Sequence, residues 1–292
     1  MASHAGSCYR PFPKPQQLKP FQKKFKPVKI RIIDNPDDIL KALQTTINEK
    51  LLKRVVFPNY LCGGVPGRTV LDNVLMHCDA LLLVTVDVKS FFRRITNRQV
   101  YKVWREVLDC SPRLAALLTQ LTTFERHLPQ GAPTSSLLAN LVLYSVDEPI
   151  RNECARRQVT YSTWVDDLAF SGRDAREVID AVVASLGCAG FSVSHKKLKV
   201  MGPGTRRVLN GVLLGRFPTV LPDRISRLRS GIHKIRTGEV PSRQMYKYVR
   251  QLEGGITYVA SIVPQKAAKL RRQLQHVIMA RAALNRPGQA PN

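Results

Sequence analysis

Acidic residues are scarce in this chain. It carries 21 Asp and Glu against 46 Lys and Arg over 292 residues, a formal net charge of +25. The shortage is uneven. Residues 1–33 hold eight basic residues and no acid, and residues 181–292 hold twenty basic residues with only Asp223, Glu239 and Glu253 against them. Residues 34–180 hold eighteen of each sign. Long apolar runs are also missing: Ala80–Val84 and Leu137–Tyr144, broken by Asn140, fall far short of the roughly 20 residues that cross a bilayer. The first residues have no apolar segment, so no secretory signal and no membrane partner is expected, and the expected location is cytoplasmic. None of the six cysteines forms a Cys-x-x-Cys pair, which argues against a zinc ribbon and for reduced thiols. There is no internal repeat. Hydrophobic residues make up 44% of the chain, enough to exclude wholesale disorder.

What is present is a neutral centre between two basic ends, the pattern of a reaction site flanked by surfaces that grip a polyanion. Residues 1–28 are a basic arm rich in proline, with Phe12, Phe21 and Phe25 interleaved, and its prolines exclude a helix. Val28–Ile33 reads as a strand and 37–53 as a helix with Ile39, Leu40, Leu43, Ile47 and Leu51 on one face, Asn35-Pro36 supplying a start signal. Leu81–Asp87 reads as a buried strand. Ser111-Pro112 opens a helix with Leu114, Leu117, Leu118 and Leu121 on one face, and Ser135–Val146 is an apolar helix. Thr160–Trp164 and Leu168–Ser171 read as a hairpin. Asp174 with Glu177 resembles a capping box, Val208–Leu214 is β-prone, and the chain from Asp223 onward is helical and basic. The order predicts an α+β fold with helices on one face of an antiparallel sheet.

Two acidic positions stand out. Asp87 ends a buried strand, and Asp166-Asp167 forms the tip of the hairpin. Carboxylates beside apolar strands are costly alone, and a doublet is worse because like charges repel. Divalent cations resolve both costs: three carboxylates can hold two Mg²⁺ ions, one activating a 3′-hydroxyl and the other holding a triphosphate. A turn pair without metal is the plainer reading of Asp166-Asp167 alone, and Asp37-Asp38 is most simply charge at a helix N-terminus. His77 is open as a metal ligand, a packed helix residue or an RNA contact.

The neighbours of these acids carry a family resemblance. Arg31-Ile-Ile-Asp-Asn-Pro36, Gly63-Gly-Val-Pro-Gly-Arg68 with Asn73 and His77, Asp87-Val-Lys-Ser-Phe-Phe92, Leu128-Pro-Gln-Gly-Ala-Pro-Thr-Ser135, Trp164-Val-Asp-Asp167, Gly190-Phe-Ser-Val-Ser-His-Lys-Lys197 and Leu209-Asn-Gly211 follow in order. Together they resemble the motif series of retron-type reverse transcriptases. Three positions depart from the usual pattern: Trp164 stands for a tyrosine, Leu209-Asn210-Gly211 for Val-Thr-Gly, and Ser136 for a proline.

The resemblance implies a right-hand polymerase with fingers at 29–84, palm at 85–215 and a helical thumb at 216–285, preceded by the arm 1–28 and followed by a tail at 286–292. It implies RNA-directed DNA synthesis from dNTPs with two Mg²⁺ ions, Mn²⁺ being a substitute. The partners would be a structured noncoding RNA, an RNA–DNA hybrid and a separate effector protein in anti-phage defence. Asp87 and Asp166 would be the main metal ligands, with Asp167 secondary and the Val88 carbonyl assisting. Phe92 would stack under the deoxyribose while Phe91 packs in the core. Gln130 and Gly131 would touch the nucleotide, Lys197 would neutralise pyrophosphate, and Arg31 and Arg68 would grip the triphosphate. Arg224, Arg227, Arg229 and Lys234 would face the hybrid. Two rival readings stay open: a silent RNA-binding scaffold, and a defence polymerase that works without a conventional template or primes from a tyrosine such as Tyr9.

Overall fold

The computed structural model describes residues 8–15 and 30–284. Phe21, Phe25 and the 286–292 tail lie outside them. Strand β1, Tyr9–Pro15, pairs antiparallel with β2, Ile30–Pro36, Tyr9 standing opposite Pro36. The first part of the arm is therefore one side of a two-stranded ribbon. Its prolines at 11, 13 and 15 are tolerated because an edge strand can do without ladder N–H groups. Tyr9 pins the ribbon, stacking on Phe124 at 4.5 Å and accepting a hydrogen bond from Gln44 Nε2 at 2.8 Å.

Helix α1 spans Asp38–Lys50. Its cap is Asp37, whose carboxylate accepts from the Leu40 N–H at 2.8 Å, rather than Asn35, which the following proline holds in the strand. Of the predicted apolar face, Leu40 and Ile47 are buried together with Gln44, while Ile39 is 78% exposed. The face turned inward is centred on Gln44, a residue that hydropathy would assign to solvent.

Next come α2 (Val70–Leu75), β3 (Leu83–Asp87), α3 (Phe91–Arg94) and α4 (Asn97–Lys102), which runs on as a π-helical stretch, Val103–Val107. Helix α5, Pro112–Thr122, begins as expected, Ser111 accepting from the Leu114 N–H. Leu118 is buried, but Leu114 and Leu117 are exposed. Helix α6, Ser135–Val146, is buried at Leu137–Leu143, as an almost wholly apolar helix must be. Truncating a buried leucine such as Leu138 would cost about 2–5 kcal/mol.

Helix α7 (Glu148–Arg156) leads into β4 (Thr160–Trp164) and β5 (Asp167–Ser171), the predicted hairpin. Helix α8, Ile179–Cys188, starts without the expected capping box: residues 172–178 are turns, and no side chain caps Val178. Strand β6, Lys199–Met201, completes a four-stranded antiparallel sheet in the order β4-β5-β3-β6. Its apolar core includes Phe91, Trp104, Leu138, Leu168 and Phe170.

The chain forms two compact units, one of residues 1–73 and 80–203, the other of 74–79 and 204–292. In the second unit, β7 (Val208–Leu209) and β8 (Val212–Leu213) are joined by Asn210-Gly211, both at positive φ, and β9 (Thr219–Val220) completes a small sheet. Positive φ at both loop residues matches the twist a two-residue hairpin needs. Helices α9 (Pro222–Arg236), α10 (Ser242–Ala260) and α11 (Pro264–Leu284) follow. Their buried positions include Leu228, Ile232, Ile235, Leu252, Ile256, Val259, Leu270 and Leu274. Among the described residues no helix is long and apolar enough to cross a membrane.

Candidate active site

The sheet brings the three aspartates together. In the β3–β5 pair Asp87 is the register partner of Asp167, and the Val88 N–H donates to the Asp166 carbonyl at 2.9 Å. Asp87 is buried, Asp166 half-buried and Asp167 exposed at the hairpin tip. Burial and the neighbouring Asp87 charge push the Asp166 carboxyl up; Lys197 and Arg31 pull it the other way. Asp167 is raised to about 6, by desolvation first and then by the charges of Asp166 and Asp87. These are acids whose ionised forms oppose one another until a cation arrives.

One cation is already present. Lys197 Nζ lies 2.5 Å from Asp87 Oδ2. Its position follows from the segment after α8, where Ser194 N–H donates to Asp87 O at 2.8 Å and Lys89 N–H donates to Ser192 O. No group of three or more His, Cys, Asp or Glu among the described residues is arranged to hold a metal ion. The donor chemistry nonetheless suits a hard divalent cation: the three side chains offer only carboxylate oxygens, and an ammonium stands in at Asp87. A metal at Asp87 would share that carboxylate with Lys197 or displace it.

The hairpin tip is held under strain. Val165 has φ +60, in the left-handed region that a β-branched residue rarely adopts. Its support is the 60–64 segment. Thr163 N–H donates to Tyr60 O and Cys62 N–H donates to Thr163 O, while Asn140 Nδ2, from α6, donates to Gly63 O at 2.8 Å. Gly63 lies so close that a Cβ there would be 2.5 Å from Val165 N and 2.7 Å from Trp164 C. The glycine is required by this approach of two backbones.

The expected nucleotide contacts divide. Phe91 is buried against Phe191; Phe92, the next residue on α3, is half-buried and meets the Phe91 ring edge-on at 6.1 Å, so the two lie on neighbouring sides of a helix rather than on opposite faces of a strand. Gln130 is half-buried. Gly131 has φ +119, and a Cβ on it would be 2.8 Å from Ile33 Cγ2 of β2. Arg31 is exposed, and its charge is felt at Asp166. Arg68 is tied to Asn59 Oδ1 at 2.6 Å. Sequence reading missed Asp34, which is 1% exposed and holds the Gln130 backbone. The one sequence sign was an acid in the apolar run Ile32-Ile33.

In the second unit Arg227, Arg229 and Lys234 are exposed, but Arg224 is half-buried with its guanidinium 4.0 Å from the Tyr258 ring centroid. Stacking on the ring turns Arg224 inward, a correction to the expected four-residue face. Arg227 and Lys234, seven residues apart, share one side of α9, whereas Arg229 lines a cavity of about 500 Å³ with Lys266 and Lys269. His77 is buried, and burial lowers its pKa to about 4. It is a neutral packed side chain, and among the described residues it belongs to no group of three or more His, Cys, Asp or Glu arranged to hold a metal ion. Tyr9, raised to about 12 by burial, is a poor priming hydroxyl.

The family model "Reverse transcriptase (RNA-dependent DNA polymerase)" matches residues 13–260. The chain is 24% identical over 245 residues to the Retron Ec86 reverse transcriptase of Escherichia coli, covering 82% of this chain and 74% of that protein. It is 28% identical over 264 residues to the Retron Mx65 reverse transcriptase of Myxococcus xanthus, covering 84% of this chain and 61% of that one. Among solved structures, apo telomerase from Candida tropicalis aligns over 89% of this chain and 56% of its own with a TM-score of 0.53 at 10% identity, a likeness of fold. These relatives bear out the resemblance read from the motifs.

Proposed function

Because the chain belongs to the reverse transcriptase family of RNA-dependent DNA polymerases, in which a divalent metal is the usual cofactor, we propose that it copies a structured noncoding RNA into DNA from dNTPs in the manner of the retron type. The observation that carries this is the pairing of Asp87 with Asp167 across β3 and β5, with Asp166 at the strained tip and Lys197 and Arg31 beside them. Asp87, Asp166 and Asp167 would hold the metal. Two Mg²⁺ ions, or Mn²⁺ in their place, would there supply activation of a primer 3′-hydroxyl and neutralisation of the triphosphate. Lys197, once released from Asp87, stands ready to neutralise the departing pyrophosphate. Phe92 excludes a 2′-hydroxyl, Gln130 and Gly131 bound the nucleotide pocket, and Arg31 draws in the triphosphate. Arg68, held by Asn59, reaches the triphosphate only on leaving that partner.

On this reading most of the fingers and palm belongs to the first unit, while the second holds the helical thumb together with 74–79 of the fingers and 204–215 of the palm, the thumb's basic side following the phosphates of an RNA–DNA hybrid. The protein acts in the cytoplasm, with a separate effector, in anti-phage defence.

The test is primer extension on an RNA template with Mg²⁺ and all four dNTPs, followed by sequencing of products made with each dNTP omitted in turn. The expected result is template-dependent DNA that stops at the omitted base. No incorporation with either Mg²⁺ or Mn²⁺ would establish a silent scaffold, and products that ignore the template would establish the non-templated alternative.

A further inference from the structure

Asp34 is a buried carboxylate that does not belong to the metal-binding group. It lies on β2, three residues after Arg31. Its backbone N–H donates to Gln130 O at 3.0 Å, and its Oδ2 accepts from the Gln130 N–H at 3.1 Å, so both backbone polar groups of Gln130 close on one residue. The same Oδ2 is 3.4 Å from His127 Nε2, and Oδ1 is 3.5 Å from an Arg93 guanidinium nitrogen. Oδ1 makes no hydrogen bond, so Arg93 is its charge partner. Arg93 follows Phe92 on α3.

The segment carrying His127 is itself fixed. Phe124 and His127 exchange backbone hydrogen bonds of 2.8 and 2.9 Å around Glu125 and Arg126, both at positive φ, and Leu128 N–H donates to Ile95 O at 3.0 Å. Asp34 thus joins three parts that lie 37 to 96 residues apart in sequence: the strand bearing Arg31, the loop bearing Gln130 and Gly131, and the short helix bearing Phe92.

A buried charge is retained at such a cost only when its partners hold it in place, and removing it leaves those partners unpaired. Here the partners are the walls of the proposed nucleotide pocket. We propose that Asp34 is a positioning residue for the incoming nucleotide: it fixes Gln130 against the helix of Phe92, and so sets both dNTP affinity and discrimination between deoxyribose and ribose. This inference rests on the polymerase reading above. It adds that nucleotide selectivity is set by a residue that touches neither sugar nor metal.

The test measures KM and kcat for a dNTP and its matching rNTP on one primer–template, with hybrid affinity and a melting curve for each variant. Asp34→Ala is expected to raise KM for dNTP by about tenfold or more, with a smaller change in kcat and unchanged hybrid affinity, since a charge-assisted buried contact is worth roughly that factor and small misplacements are costly. Asp34→Asn keeps an acceptor for the Gln130 N–H but not the charge facing Arg93, so it should restore KM while leaving the dNTP preference weakened. Arg93, with a side chain 48% exposed, can be removed without opening the core. Arg93→Ala should weaken the preference for dNTP over rNTP by about threefold or more while KM for dNTP stays near wild type. Unchanged KM and selectivity in a folded Asp34→Ala variant would overturn the inference, as would a common proportional fall in kcat, nucleotide affinity and hybrid affinity. If Asp34→Ala does not fold, Arg93→Ala decides, and an unaltered preference there overturns it. A wild-type protein without polymerase activity would instead remove the functional reading, and this inference with it.

Discussion

At the scale of single residues, the three aspartates carry different burdens. Asp166→Asn removes one proposed metal ligand from a half-buried position, so dNTP incorporation should fall by orders of magnitude while the melting temperature and RNA binding stay close to wild type. Appreciable incorporation by that variant would contradict the assignment. Asp167 has a stability signature as well. Its carboxyl is raised from an ordinary 3.8 to about 6, so the folded chain keeps a proton that the unfolded chain releases. The stabilisation from that proton is complete below about pH 4 and is lost as pH rises through about 6. At neutral pH, without divalent ions, Asp167→Asn should therefore melt higher than wild type. Exposure to solvent limits the gain to at most a few degrees. Mg²⁺ should raise the melting temperature of wild type more than that of the variant. Wild-type activity should fall as pH drops below about 6, and added metal should move that fall to lower pH. A melting temperature for Asp167→Asn equal to or below that of wild type in chelator would remove the electrostatic account.

At the scale of elements, the hairpin depends on the segment packed beside it. Gly63→Ala would place a methyl group 2.5 Å from the Val165 nitrogen, and backbone cannot yield as a flexible side chain can. The tip bearing Asp166 would shift, and kcat should fall by about 10²-fold, with a modest loss of stability, although the residue touches no substrate. Single-turnover rates for this variant beside Gly64→Ala, where a Cβ would meet the Ser136 side chain, separate displacement of the tip from general damage to the loop. The β4–β5 hairpin, α6 and the end of β3 at Asp87 were legible in the sequence because each is set by local pattern: alternation, an all-apolar run, an acid closing a buried strand. The inward face of α1 was not, because Gln44 is buried by its hydrogen bonds to Tyr9 and the Leu121 carbonyl, partners far away in sequence. The pairing of Tyr9–Pro15 was hidden for a related reason. Its prolines announce an extended arm without a helix, and only the facing edge of β2 makes a strand of it. Asp34 was quoted within a motif, yet its role depends on Gln130 being 96 residues away in sequence and 3.1 Å away in space. Arg224 was misread because helical spacing locates a side chain on a face but does not reveal a ring such as Tyr258 waiting beside it.

At the scale of the whole molecule, the net charge of +25 predicts polyanion binding that weakens steeply with salt. The structure sharpens which charges to remove. Arg227 and Lys234 project from one side of α9, so the double variant Arg227→Ala/Lys234→Ala should lower hybrid affinity and reduce the magnitude of the log–log salt slope by about two. Arg224→Ala should act mainly on stability, because it removes a stacked cation from the Tyr258 ring. Fluorescence titrations over a range of salt concentrations distinguish the two. Equal slopes for wild type and the double variant would show that this side of α9 does not meet the phosphates.

The lysine beside Asp87 has a consequence for how the molecule is handled. Many metal-dependent domains fold only when their ion is supplied, because the bare ligands repel one another. Here the chain brings its own counter-charge: the Lys197 ammonium partners Asp87. Folding should therefore not require the metal, although the metal still adds stability when it binds. The expected outcome is that the protein refolds in strong chelator with its circular dichroism retained, and that polymerisation begins only when the ion is added. Lys197→Met would couple the two again, giving a protein whose refolding yield in chelator drops and is restored by divalent salt.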